Sequence, residues 1–124
     1  MSISSIRTAM FNAIKATNTD ALRVYRYAQS DYPGPSAVIG WPQDMIPHAD
    51  DSDSQDFVFT VELLVPLTTP SCEAVLEGLI DTVVNAIDGI SGAYGVQRVS
   101  DFGGRGNDQN VRWIGAAITV EVFA

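Results

Sequence analysis

A chain of 124 residues with 46% hydrophobic and 18% charged residues has the balance of an ordinary folded protein, and one domain spanning 1–124 is expected. Its formal net charge of −8 argues against sequence-directed nucleic-acid binding, which needs a basic footprint. No apolar run approaches the ~20 residues of a membrane span, the start lacks a basic-then-apolar secretory pattern, and a single cysteine leaves no intrachain disulfide, so a cytosolic protein without a membrane partner is expected.

Ile3, Ile6, Met10, Phe11, Ala13, Ile14 and Thr17 recur at helical spacing behind serines that can cap, and Asn18-Thr19-Asp20 ends that helix as a polar turn. Leu22–Tyr27, short and rich in aromatic and β-branched residues, predicts a strand. Tyr32-Pro33-Gly34-Pro35 is a turn, since proline fixes φ and glycine supplies a positive φ. Ser36–Trp41 predicts a second strand, stopped by Pro42. Gln43–Asp56 then reads as a polar connector, long for a compact domain and therefore expected to be mobile and to contact a neighbour.

Phe57, Phe59, Val61, Leu63 and Val65 alternate with Val58, Thr60, Glu62 and Leu64, which predicts a half-buried strand closed by Pro66. Thr69 and Pro70 suit the N-cap and first position of a helix. That helix presents Cys72, Val75, Leu76, Leu79, Ile80, Val83, Val84 and Ile87 as an apolar stripe, and Asp88-Gly89 is expected to end it in the left-handed conformation. Val96–Phe102 predicts a strand and Gly103–Asp108 a flexible turn.

The segment from Ile114 to Ala124 alternates to the end of the sequence, with Ile114, Ala116, Ile118, Val120 and Val122 on one face. So apolar a strand is not expected to remain a bare edge, so another copy of the chain is expected to cover it or pair with it. The order α-β-β-β-α-β-β implies an α+β fold, a mostly antiparallel sheet with two helices packed on it.

Charge is uneven along this order. The first 26 residues carry Arg7, Lys15, Arg23 and Arg26 against Asp20 alone, Asp31 to Asp56 holds six aspartates without a lysine or arginine, and Arg98, Arg105 and Arg112 follow. Solvated surface is the plain reading; a self-associating protein could instead set the acidic stretch of one copy against the basic ends of the next.

Residues with chemical potential are few. His48 is the only histidine and sits in the polar connector, where it reads as a bystander. Cys72 lies on an apolar helix stripe without a histidine partner and reads as a small buried hydrophobe. Counted from Asp51, a calcium loop would use Asp51, Asp53, Gln55, the Phe57 carbonyl and Glu62, but its sixth position is Asp56 where such loops need glycine. Gly103-Gly104-Arg105-Gly106 lacks the following helix of a phosphate loop. No catalytic residue, metal ligand or cofactor is expected.

Taken end to end, the chain resembles the small tail terminator (tail completion, minor tail) proteins of siphophages, especially those of actinobacterial phages. The likeness lies in the order of weak elements: the first helix, Leu22–Tyr27, the proline-rich turn into Ala37-Val38-Ile39-Gly40-Trp41-Pro42, the Phe57–Leu64 strand, the long second helix, Tyr94-Gly95-Val96 into Val99, and the ending Thr119–Ala124. The resemblance implies a virion protein at the tail–neck junction, made in the host cytoplasm and assembled as a hexameric ring. Such a ring sits on the last ring of the tail tube protein, ends tube growth, faces the neck or head-tail connector protein, and lets DNA pass without specific binding. Arg23, Arg26, Arg112, Val120, Val122 and Phe123 are then expected at interfaces with other subunits, tube or neck. Asp50, Asp51, Asp53, Asp56 and Glu62 are expected at the channel or in loop contacts. Two alternatives stand beside it: a neck connector of the same virion, and a small dimeric α+β protein that binds a ligand or runs cofactor-free chemistry in a cleft lined by Tyr25, Tyr27 and Trp41.

Overall fold

A computed structural model describes residues 2–17, 22–48, 51–90, 94–107 and 110–123, with backbone alone for 43–48, 51–55 and 107. Two helices, α1 (Ile3–Lys15) and α2 (Cys72–Asp88), accompany five strands: β1 (Arg23–Tyr25), β2 (Ser36–His48), β3 (Asp51–Pro66), β4 (Tyr94–Asn107) and β5 (Asn110–Phe123). The α+β class and the element order are those the sequence implies. The strands form one sheet in the order β1-β2-β3-β5-β4, antiparallel except for the short β1–β2 pair. No described helix is long and apolar enough to cross a membrane.

Helix α1 begins with a reciprocal cap: the Ser5 amide donates to Ser2 Oγ and the Ser2 amide to Ser5 Oγ, both at 3.0 Å. Each bond satisfies a donor that the first helical turn leaves orphaned. Ser2→Ala should therefore lower stability by about 1 kcal/mol, read as a fall of a few degrees in the thermal midpoint. Helix α2 starts two residues later than the Thr69-Pro70 signal implies, with Ser71 at φ 53° as its N-cap and no side-chain cap bond. Its end also differs from expectation: Gly89 has φ −80°, so the helix leaves through a right-handed turn.

Both helices lie on one face of the sheet. Phe57, Phe59, Val61, Leu63 and Val65 of β3 and Ile118, Val120 and Val122 of β5 point toward them and are buried with Ile6, Met10, Ile14, Leu76, Leu79, Val83 and Ile87. Period two on the strands thus meets period 3.6 on the helices, and the two patterns share one core.

Three expectations are corrected by the sheet. First, β5 is no edge: it lies between β3 and β4, with Phe59↔Val120 on one side and Val96↔Val120 on the other. The partner that this apolar strand requires comes from within the chain. Second, the polar connector is largely strand. β2 runs past Pro42 to His48 and β3 starts at Asp51, so residues 43–48 and 51–56 form a two-stranded arm, with 49–50 outside the described residues. Proline is tolerated in β2 because β1 pairs only with Ser36–Val38, leaving the rest of β2 as an edge that needs no outward amide. The register shifts at Pro42 and between Pro42 and Asp44 mark the irregularity. Third, Gly103–Asn107 is strand, paired with Asn110–Gly115 across bulges, and two of its three glycines, Gly103 at φ 146° and Gly106 at φ 152°, carry the bends that a turn was expected to supply. Residues 108–109 lie outside the described residues.

Strand geometry also removes the calcium-loop reading. From Asp51 to Glu62 the chain is extended, so at a rise of ~3.3 Å per residue these ligands spread over roughly 36 Å, whereas a calcium ion needs oxygens within ~2.6 Å. Among the described residues no cluster of three acidic, histidine or cysteine side chains could hold a metal ion.

Candidate assembly surface

The side chains singled out by sequence divide between the two faces of the sheet and its ends. On the helix-free face the register places Asp56, Val58, Thr60 and Glu62 of β3 beside Phe123, Glu121, Thr119 and Ala117 of β5. Glu62 meets Arg105 Nε at 2.7 Å, and Arg105 also donates to the carbonyls of Asp101 at 2.5 Å and Gly103 at 3.2 Å. The arginine thus ties the bulged part of β4 across β5 to β3. Its route passes over Gly115, where a Cβ would stand 3.3 Å from Arg105 Cγ. Glu121 accepts a hydrogen bond from the Gln97 side chain on the same face. This face mixes signs: Arg98 lies opposite Thr119, so carboxylates and guanidiniums alternate across it.

Of the residues expected at interfaces, Val120 and Val122 are fully buried in this chain's own core. Their alternation is a core signal, and they present nothing to a partner. Phe123 is half-exposed at the strand's end. Arg23 is exposed, while Arg26 stacks on Phe11 with its guanidinium carbon 4.8 Å from the ring centroid. Arg112 pairs with Asp31 at 3.2 Å and lies 4.7 Å from the Trp113 ring centroid, both ionic partners half-exposed. Trp113 in turn donates to the Tyr32 carbonyl at 2.9 Å, and Tyr32 contacts Tyr25 edge-on at 5.5 Å. Asp50 lies outside the described residues. Asp51 and Asp53 belong to the arm, of which residues 51–55 pair with β2 alone, beyond the last β3–β5 pair at Asp56↔Phe123. Replacing Asp50, Asp51, Asp53 and Asp56 together by asparagine is expected to leave the fold intact at a cost under about 1 kcal/mol; a thermal melt checks this.

The aromatic cleft differs in composition from the expected one. Tyr25 faces the helix-free side, whereas Tyr27 and Trp41 turn toward α1 and enclose Arg7 between them, each ring centroid 4.8 Å from its guanidinium carbon. Arg7 is 6% exposed, yet the two rings above it are 61% and 68% exposed. The guanidinium donates to the carbonyl of Ile39 at 3.1 Å and to that of Arg26, and its Nε is buried without a hydrogen-bond partner. Cation–π attraction on two sides offsets part of the desolvation of this charge. Sequence reasoning passed over Arg7, although Ile3, Arg7, Met10 and Ile14 share one helical stripe; its interruption by an arginine was the available signal. The cleft has a volume of about 340 Å³ and is bordered also by Ile3, Ser4, Thr8 and Arg26.

Other chemistry is sparse. Cys72 is a free, partly buried thiol at the start of α2. Burial raises the Tyr94 hydroxyl pKa above its ordinary value. Neither group lines the cleft.

No protein-family model matches the sequence, and no curated protein does. Among solved structures, a chain of the virion of a native gene transfer agent particle is similar to this one, with a TM-score of 0.58 and 16% identity over 99% of this chain and 98% of that chain. At that identity the likeness shows that the two chains share a fold along their whole length.

Proposed function

We propose that the chain is a structural, non-enzymatic subunit of a phage-type virion, a terminator that closes the head-proximal end of the tail tube. The observation carrying this reading is the likeness in fold to a virion chain, which extends over 99% of this chain and 98% of that one. The resemblance of the ordered sequence elements to siphophage tail terminators points the same way and supplies the finer role. In it, six copies form a ring on the last ring of tube protein, stop polymerisation and offer the opposite surface to the neck connector. Assembly at the tail–neck junction follows, with synthesis in the host cytoplasm.

A ring of this kind has to let DNA pass. Six copies at −8 carry a formal −48, a field that repels the phosphate backbone. The helix-free face suits a channel wall, since it carries Asp56, Glu62 and Glu121 by register. Arg105 is a departure from the expected segregation of arginines, since it neutralises Glu62 on that same face. Repulsion therefore depends on the whole subunit's charge more than on Glu62. The purified ring should show no retention of duplex DNA at physiological salt.

The direct test is arrest of tube growth. Added to polymerising tail tube protein, the chain should cap growing tubes at substoichiometric amounts and fix their length. Tubes that continue to elongate, while the protein binds the head connector instead, would assign it to the neck.

A further inference from the structure

Among the described residues, none completes the chemistry of the cleft around Arg7. Four of the seven lysines and arginines, Arg7, Lys15, Arg23 and Arg26, fall within the first 26 residues, and the structure gathers them around α1 and β1. Arg26 and Lys15 both lie over the Phe11 ring, at 4.8 and 5.6 Å, and Arg7 sits under Tyr27 and Trp41. Helix α1 and strand β1 contain no carboxylate, Asp20 between them lies outside the described residues, and Asp31 already pairs with Arg112. Arg7 keeps a buried Nε without a partner beneath two large, exposed rings. A buried cation with an unmet donor favours a carboxylate that arrives from outside, and exposed aromatics flanking a pocket are the usual anchors of a protein contact.

The same chain carries the complement. Asp44, Asp51, Asp53 and Asp56 belong to the β2–β3 arm, and the sequence from Asp44 to Asp56 holds no lysine or arginine. Within one molecule the two cannot meet: β2 leads away from Trp41, and at ~3.3 Å per residue Pro47 is already some 20 Å along the strand. Bending the arm back would break the β2–β3 ladder. We propose that the cleft formed by α1, Tyr27 and Trp41 receives the acidic β2–β3 arm of a second copy of this chain. Because donor and acceptor surfaces differ, the contact is heterologous, the kind that closes rings or extends chains. It deepens the ring reading above and names the segment that would join neighbouring subunits.

Two versions of the full chain, both with Cys72→Ser, provide the test: one carries Ser4→Cys beside the cleft, the other Ser52→Cys on the arm, which leaves its carboxylates in place. Mixed at high concentration under mild oxidation they should give a cross-linked heterodimer, formed far less when either is oxidised alone and suppressed by high salt. In parallel, sedimentation equilibrium should show self-association weakened at least about tenfold by Trp41→Ala and by Asp51→Asn with Asp53→Asn. The combined variant should be little worse than the weaker single one, the mark of two groups in one contact. Cross-links in open chains or dimers would keep the inference and overturn the hexameric ring. Six-membered rings without the cross-link would keep the ring and overturn the inference. A monomer without cross-links at millimolar concentration, or a free aromatic carboxylate such as benzoate saturating the cleft without any association, would overturn it as well.

Discussion

Removing Thr119–Ala124 is expected to abolish folding itself, before any question of assembly arises. β5 is the second-innermost strand of the sheet by order and is hydrogen-bonded on both sides, so its last turn of ladder serves β3 and β4 at once. Val120 and Val122, both fully buried, face Phe57 and Phe59 on one side and Tyr94 and Val96 on the other. Each valine contributes ~1.5–3 kcal/mol through burial, and the lost hydrogen bonds leave the amides of two further strands unpaired. Against a typical total of ~5–15 kcal/mol the deletion leaves little or no margin. The truncated chain should show no cooperative thermal transition by circular dichroism and no dispersed amide spectrum. A cooperative melt within a few degrees of the intact protein would contradict the central place of β5.

Gly115→Ala tests the same strand with one methyl group. A Cβ there would stand 2.5 Å from the Leu63 carbonyl oxygen, 3.2 Å from Leu64 Cδ2 and 3.3 Å from Arg105 Cγ. Backbone cannot swing aside as a flexible side chain can, so β3 and β5 must separate locally and Arg105 must leave its path to Glu62. Overpacking of this kind costs about 1–3 kcal/mol, and the thermal midpoint should fall by roughly 5–12 °C. Gly78→Ala gives the opposite sign and serves as the control. Gly78 lies inside α2 with nothing within 4 Å of its would-be Cβ, so alanine should add about 0.5–1 kcal/mol by restricting the unfolded chain. Equal responses at the two positions would show that close approach at Gly115 does not govern its identity.

The parts of the fold legible in the sequence are those where a local period coincides with burial. Phe57 to Val65 alternates and is buried on the predicted face; Leu76, Leu79, Val83 and Ile87 follow the helical period and meet it. The β2–β3 arm was illegible because Asp, Ser and Pro have low strand preference, and pairing between β2 and β3 overrides that preference without leaving a mark on composition. Gly103–Asn107 misled in the same way: glycines that signal a turn here serve a bulged strand facing Gly115. The neighbours of β5 were beyond reach for a different reason. Alternation tells that Val120 and Val122 need cover, yet strand order is a long-range property, and the cover came from β3 and β4 and not from a second copy. The cleft followed from Arg7, one charged residue on a buried stripe, whose meaning depends on Tyr27 and Trp41 being brought over it by other elements.

Images of tail tubes assembled with this protein test the proposed role most directly. The account predicts one ring of six copies at a single end of every tube, with helices outward and the helix-free sheet face around the channel. Tubes with bare ends, or rings found only on isolated head connectors, would contradict it.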